Sequence, residues 1–284
     1  MTPAFDDAEV ERAAAGLQLA LPRVPHAGRT GDIRAATTGT SMELADFRAY
    51  HPGDDLRHVD WNAVARTDEW VVRVRHDEVS PRVEVWLDTS ASMGAHAAKA
   101  RCARMAAWWA CLVAKHRGLE PVLVAMGPPQ HRVSGADVHP LCHQLALDGV
   151  AAFEVAIGQV PTTARCGLRV VVSDFLSEAA PRTVLQRVSR GAAGVALVQV
   201  LDSEELEPTP ADGARLVDAE TSEALEHQLS PSLIATYRQR LYAHVTAWRT
   251  AATDAGAQFV QLDAGVPFFE LTRTSLSVLA EASR

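Results

Sequence analysis

The stretch Val83-Glu84-Val85-Trp86-Leu87-Asp88-Thr89-Ser90-Ala91-Ser92-Met93-Gly94 decides the fold. Val83, Val85 and Leu87, with Trp86 between them, read as a buried strand that ends at Asp88. A Ser-rich turn follows, and then a long Ala-rich run over residues 97–117. Met105, Trp108, Trp109, Leu112 and Val113 give that run a broad apolar helical face, and Gly118 closes it.

Strands and helices alternate from here to the end. Residues 121–126 form the next strand, and a short helical piece lies near 141–147. The run Leu168-Arg169-Val170-Val171-Val172-Ser173 is a second strongly buried strand, ending at Asp174. A helix over 180–190 and a strand over 194–201 come next. Residues 202–226 are acidic and turn-rich, with a short strand at 215–218. Pro231 opens the longest helix, Gly256 ends it, 258–262 is a last strand, and a closing helix starts near Pro267. This order predicts an α/β fold: a doubly wound, mostly parallel sheet with helices on both faces. Such sheets place ligands beyond the carboxyl ends of their strands, so Asp88 to Met93 and Ser173 to Phe175 are the informative positions. Upstream, residues 6–20 read as a helix with Asp6 and Glu9 at capping-box spacing. Residues 26–40 read as a loop or extended arm, and 70–74 as a strand. The domain reading is therefore an N-terminal helix and arm over 1–38, then one domain over 39–284 whose core begins near residue 70.

Composition narrows the function classes. The 284 residues carry 27 Lys+Arg against 35 Asp+Glu, a formal charge of -8, which argues against nucleic acid as the main partner. Only Lys99 and Lys115 are lysines. The acidic N-terminus is unlike a signal peptide. The longest apolar run, residues 105–114, is far short of the roughly 20 residues that span a bilayer. Cys102, Cys111, Cys142 and Cys166 form no CxxC, and buried, reduced thiols in a cytoplasmic protein are expected. His139, Cys142 and His143 hint at zinc, but Pro140 intervenes and no fourth ligand lies at a standard spacing, which argues against it.

The chemistry gathers after the first buried strand. Asp88, Ser90 and Ser92 sit at alternate positions in the turn, so one carboxylate and two hydroxyls point the same way. They are hard oxygen donors with little negative charge, a set that suits Mg2+ retaining several waters. Asp174 would bring a second carboxylate to the same rim. The competing reading is that Ser90 or Ser92 only caps the helix. Earlier in the chain, Arg48, Arg57 and Arg66 alternate with Asp54, Asp55 and Asp60 around the Pro52-Gly53-Asp54 turn. Bidentate pairs would lock this loop, and Trp61 is expected to anchor it in the core. Two uses stand for it: an internal salt-bridged brace, or a partner-docking surface.

Strand-DxSxSM-helix, followed much later by a strand ending in Ser-Asp, resembles the von Willebrand factor A fold with its metal-ion-dependent adhesion site. The segment Phe47-Arg48-Ala49-Tyr50-His51-Pro52-Gly53-Asp54-Asp55-Leu56-Arg57-His58-Val59-Asp60-Trp61, then Ala65-Arg66, resembles the hallmark of the bacterial domain of unknown function 58 family. Val200-Leu201-Asp202, Glu205-Leu206, Leu216-Val217-Asp218-Ala219-Glu220-Thr221 and Tyr237-Arg238 agree with it. The resemblance runs from about Gly39 to the C-terminus. It implies a von Willebrand A-like interaction domain, often linked with MoxR-type AAA+ ATPases in a chaperone-like or assembly role. It also implies a third-loop Thr as a metal ligand. The matching stretch, Asp148-Gly149-Val150-Ala151-Ala152, has none, so Mg2+ binding is expected to be weak or partner-dependent. An enzyme is the rival class, a metal-dependent hydrolase or phosphotransferase using Asp88. However, no GxSxG, HExxH, Walker A or kinase set is present, and no nucleophile has an evident base beside it. The third reading is a structural subunit with a vestigial metal site.

Overall fold

The computed structural model describes residues 6–20, 46–51, 59–67, 69–74, 82–162, 165–217 and 224–283. The chain divides into two units, one of residues 1–22 with 80–284 and one of residues 23–79. In chain order the first elements are α1 (Asp7–Ala14), β1 (Leu17–Leu19), β2 (Asp46–Ala49), α2 (Trp61–Thr67) and β3 (Val71–Val74). Then come β4 (Arg82–Asp88), α3 (Ala91–Gly94), α4 (Ala97–His116), β5 (Glu120–Met126), β6 (His131–Ser134), α5 (Val138–Gln144) and α6 (Phe153–Gln159). The rest is β7 (Leu168–Ser173), α7 (Pro181–Val188), β8 (Val195–Leu201), α8 (Ser203–Leu206), β9 (Ala211–Val217), β10 (Ala224–Leu229), α9 (Pro231–Asp254), β11 (Gln258–Asp263), α10 (Phe268–Thr274) and β12 (Ala280–Ala282).

Six strands form the central sheet in the order β11-β8-β7-β4-β5-β6. All neighbours run parallel except β6, which pairs antiparallel with β5 at one edge. The chain starts in the middle with β4, moves out through β5 and β6, then crosses to β7 and continues the other way. The topological switch point therefore lies between β4 and β7, where open α/β sheets leave a crevice. Strand alternation gives each face its own core. Val83, Val85 and Leu87 pack with α4 residues such as Ala103, Ala107 and Trp109. Trp86 and Val171 pack on the other face with Phe153, Val184 and Trp248. The Ala-rich sequence of α4 lets this helix lie close to the sheet, and most of its length is buried.

Several elements differ from the sequence reading. The N-terminal helix stops at Ala14, because Gly16 takes a left-handed backbone (φ +70). Residues 17–19 then pair as β1 with β12 at the other end of the chain. The edge strand β6, the helix α6 and β10 are additions, while the short strand expected at 215–218 is found as the longer β9. No helix among the described residues is long and apolar enough to cross a membrane.

The second unit is built on β2 pairing antiparallel with β3. Asp60 is buried and accepts through Oδ1 from the backbone N–H groups of Asn62 and Ala63, at 3.0 and 3.2 Å, so it caps α2. Arg66 donates from Nε to the Asn62 carbonyl within its own helix. Asp54, Asp55, Arg57 and the side chain of Arg48 lie outside the described residues. Trp61 corrects the sequence reading. It is 54% exposed, and its ring meets Trp70 edge-on at 5.7 Å. Trp70 in turn packs on Tyr50 at 5.5 Å. The indole is thus one part of a surface aromatic group, which satisfies it without a core position.

Candidate functional site at the sheet switch point

β4 delivers Asp88 to the rim, and backbone clamps hold the loop after it from two sides. The Thr89 hydroxyl donates to the Met126 carbonyl at the end of β5. Gly149 N donates to the Thr89 carbonyl at 2.8 Å, and Ala91 N donates to the Gly149 carbonyl at 2.9 Å. Gly149 thus lies against the loop and meets it through backbone groups. A Cβ at Gly149 would stand 2.8 Å from the Thr89 carbonyl oxygen, so a side chain there does not fit without a shift.

The Asp88 carboxylate is buried and doubly bonded. Oδ1 accepts from Ser90 N at 3.0 Å, and Oδ2 accepts from the Ser173 hydroxyl at 2.6 Å. Its pKa is pushed up to about 6, first by burial and second by the charge of Asp174, against the lowering effect of the Ser173 and Ser90 hydrogen bonds. The Ser90 and Ser92 hydroxyls lie 3.0 Å apart, and Ser90 makes no side-chain capping bond to α3. The helix-cap reading of Ser90 is therefore set aside. Asp174 follows β7, the neighbour of β4 across the switch point. Its Oδ1 accepts from Leu176 N at 3.0 Å. The next residue, Phe175, is fully buried with a left-handed backbone (φ 53), a conformation that costs a bulky side chain about 1–2 kcal/mol. Its N–H donates to the Ser173 hydroxyl at 3.0 Å, which helps to hold that turn.

The feature that sequence reasoning missed is Lys99. Its ammonium group is fully buried in the first turn of α4, 2.9 Å from Asp174 Oδ2 and 2.7 Å from Glu205 Oε1. Burial alone would lower its pKa, and that is the largest single influence. The two carboxylates together outweigh burial and raise the pKa. Glu205 is itself fixed, because its Oε2 accepts from Asp202 N at 2.7 Å in a capping box and its carbonyl accepts from the Tyr237 hydroxyl at 2.7 Å. Asp202, Glu205 and Tyr237, quoted above only as landmarks of the resemblance, therefore belong to the same network as Asp174. A signal was present in composition: Lys99 is one of two lysines in a chain whose other basic residues are arginines. A compact ammonium can sit between two carboxylates where a planar guanidinium would need more room.

Whether these residues suit a divalent cation follows from their donors. Asp88, Ser90 and Ser92 present an all-oxygen set of the hardness that Mg2+ prefers. Burial first, and then the neighbouring Asp174 carboxylate, penalise the charged form of Asp88, and a cation at the rim would offset both. These three residues fit the ion. Asp174 is already paired with Lys99, so it is suited to act through water.

The chain resembles two uncharacterised mycobacterial proteins, Rv1480 of Mycobacterium tuberculosis and Mb1516 of Mycobacterium bovis. Each is 26% identical over 276 residues, covering 91% of this chain and 86% of the relative. Among solved structures, an aerotolerance-related membrane protein from Bacteroides fragilis NCTC 9343 is 12% identical with a TM-score of 0.37, covering 69% of this chain and 96% of that one. BatB from Bacteroides thetaiotaomicron, described as a conserved hypothetical protein, is 13% identical with a TM-score of 0.37, covering 70% and 98%. Residues 46–247, most of the chain, match the family described as "Protein of unknown function DUF58", and the chain belongs to that family.

Proposed function

We propose that this chain is a non-catalytic, von Willebrand factor A-like interaction module with a degenerate metal-ion-dependent adhesion site. Its partner would be another protein, on the family resemblance a MoxR-type AAA+ ATPase, in a chaperone-like or assembly role. The observation that carries the reading is the rim at the switch point, where Asp88, Ser90 and Ser92 gather beside the Asp174–Lys99 pair. Asp88 and the two serines would hold Mg2+, which supplies an electrophilic centre for an incoming carboxylate. Against an enzyme stands the sequence itself, which carries no GxSxG, HExxH, Walker A or kinase set. The Lys99 ammonium favours a second reading, in which a permanent positive charge has replaced part of the metal's role and the site is vestigial.

Capture of a MoxR-type ATPase from the same source, with Mg2+ and with EDTA, separates the two. The interaction reading expects capture that falls in EDTA and with Asp88→Ala or Ser90→Ala while the fold is retained. Equal capture in every arm leaves an interaction module with a vestigial metal site. No capture in any arm removes this partner.

A further inference from the structure

On the face of the sheet covered by α4, three metal-ligating atoms converge from distant parts of the sequence. The Nε2 atoms of His139 and His143 lie 3.1 Å apart. Both also lie against one carboxylate oxygen, Asp7 Oδ1, at 2.8 and 2.7 Å. The two histidines are four residues apart on α5 and so share a helix face. Pro140 stands in the first turn of that helix, where its missing N–H costs nothing, so it does not oppose the arrangement. Asp7 arrives on α1, which is held in place by buried Val10, Ala13 and Ala14 and by Trp109 Nε1 donating to the Ala13 carbonyl at 3.3 Å. No fourth ligand lies at a short spacing because Asp7 reaches His139 across 132 residues of sequence.

Hydrogen bonds alone account poorly for the geometry. For both rings to donate to Asp7 Oδ1, both must carry their proton on Nε2. Both N–H groups then crowd onto this one acceptor from positions only 3.1 Å apart. A cation among the three atoms would make every contact favourable. Ligand atoms around Zn2+ with bonds of about 2.0–2.1 Å stand roughly 2.9 Å apart on an octahedral face and roughly 3.3 Å apart in a tetrahedron. The observed separations fall within a few tenths of an ångström of these. The indole of Trp108 packs on His139 at 4.9 Å and restrains that ring. Cys142, between the histidines in sequence, is fully buried among the apolar side chains of the core and so lies outside the group.

We propose that Asp7, His139 and His143 form a binding site for a divalent transition metal ion of the Zn2+ class. Two imidazoles and one carboxylate select such an ion over Mg2+, so this site is chemically distinct from the all-oxygen rim at Asp88. The three side chains are partly exposed, which lets water or an incoming donor complete the shell. Binding joins α1 to α5.

The test uses the full chain, without a histidine tag, after treatment with a chelator. Titration with ZnCl2 by calorimetry in a non-coordinating buffer should show one saturable ion per chain, and the melting temperature should rise with Zn2+. Millimolar Mg2+ should not displace the ion. His139→Ala and His143→Ala should each weaken binding by at least roughly tenfold, since even outer-shell losses reach that size. Asp7→Asn, nearly isosteric and on a partly exposed side chain, should also weaken it, and this variant carries the test if a histidine variant fails to fold. Absence of saturable binding, or an affinity unchanged in Asp7→Asn and His143→Ala, overturns the proposal.

Discussion

Glu84 is a fully buried carboxylate in the middle of β4, and its cross-strand neighbour on β7 is Arg169. Arg169 donates to Glu84 Oε2 from Nε and Nη2, at 3.0 and 2.8 Å, and from Nη1 to the carbonyls of Val188 and Arg190. Its guanidinium stacks on Trp86 at 4.4 Å, and Arg132 closes the other side of the carboxylate. Buried charges persist when every donor and acceptor is matched in this way. Glu84→Gln leaves Arg169 buried without its counter-charge and should cost about 3–5 kcal/mol in denaturant unfolding. Burial alone would raise the Glu84 pKa and is the largest single influence. The two guanidinium groups together overcome it and hold the carboxyl below its ordinary value of 4.5. The wild-type contribution is therefore complete above about pH 4.5 and disappears as pH falls through the lower folded value. Unfolding measured from pH 7 to pH 3 should show that loss in the wild type and a flatter profile in Glu84→Gln. Asp88 and Asp174 were legible in the sequence because one ends and the other directly follows a buried strand. The Glu84–Arg169 pair was not, because strand register is invisible at a separation of 85 residues.

At the scale of elements, the loop after β4 and the end of α3 approach residues 147–149 so closely that neither glycine at the contact has room for a side chain. A Cβ at Gly94 would fall 1.9 Å from the Leu147 carbonyl oxygen, and one at Gly149 would fall 2.8 Å from that of Thr89. Both contacts are with backbone, which yields little. Gly149→Thr would restore the residue type of the adhesion-site pattern, yet it should lower stability by about 1–3 kcal/mol through overpacking. It should not tighten Mg2+ binding. Thermal unfolding and a Mg2+ titration of the variant check both parts, and tighter binding at full stability would show that the loop relaxes. The strands of the sheet that lie between neighbours were readable, because burial on two faces leaves apolar runs such as residues 170–172. The edge strand β6 was not, since His131 to Ser134 is largely exposed and carries no such run. β1 escaped notice for another reason. Its partner β12 is at the far end of the chain, and Val10, Ala14 and Leu17 have helical spacing up to the glycine that ends the helix.

Across the larger unit, Lys99 joins four parts of the fold. From α4 it binds the turn after β7 through Asp174 and reaches α8 through Glu205, whose carbonyl is held by Tyr237 of α9. No local pattern announces such a node. Its parts are 75 and 106 residues from Lys99, and only the crossing of the chain at the switch point brings them together. The same node separates a usable metal site from a relic. Lys99→Met keeps much of the side-chain volume and removes the charge, leaving Asp174 and Glu205 without their shared counter-charge. In EDTA this variant should lose on the order of 3–5 kcal/mol of stability, as buried pairs do when one member is removed. Asp174 would then be available to a cation beside Asp88, Ser90 and Ser92. If the rim retains affinity for Mg2+, the ion should stabilise Lys99→Met more than the wild type. At about one hundred times its dissociation constant, linkage returns about 2.7 kcal/mol. Chemical denaturation of both proteins across a Mg2+ series, with Ca2+ as a size control, measures the difference. A larger Mg2+ response in the variant means that Lys99 and the metal compete for one negative site. Equal, negligible responses mean that the rim has no useful affinity for Mg2+ even without the ammonium, and that partner binding, where it occurs, proceeds without a metal.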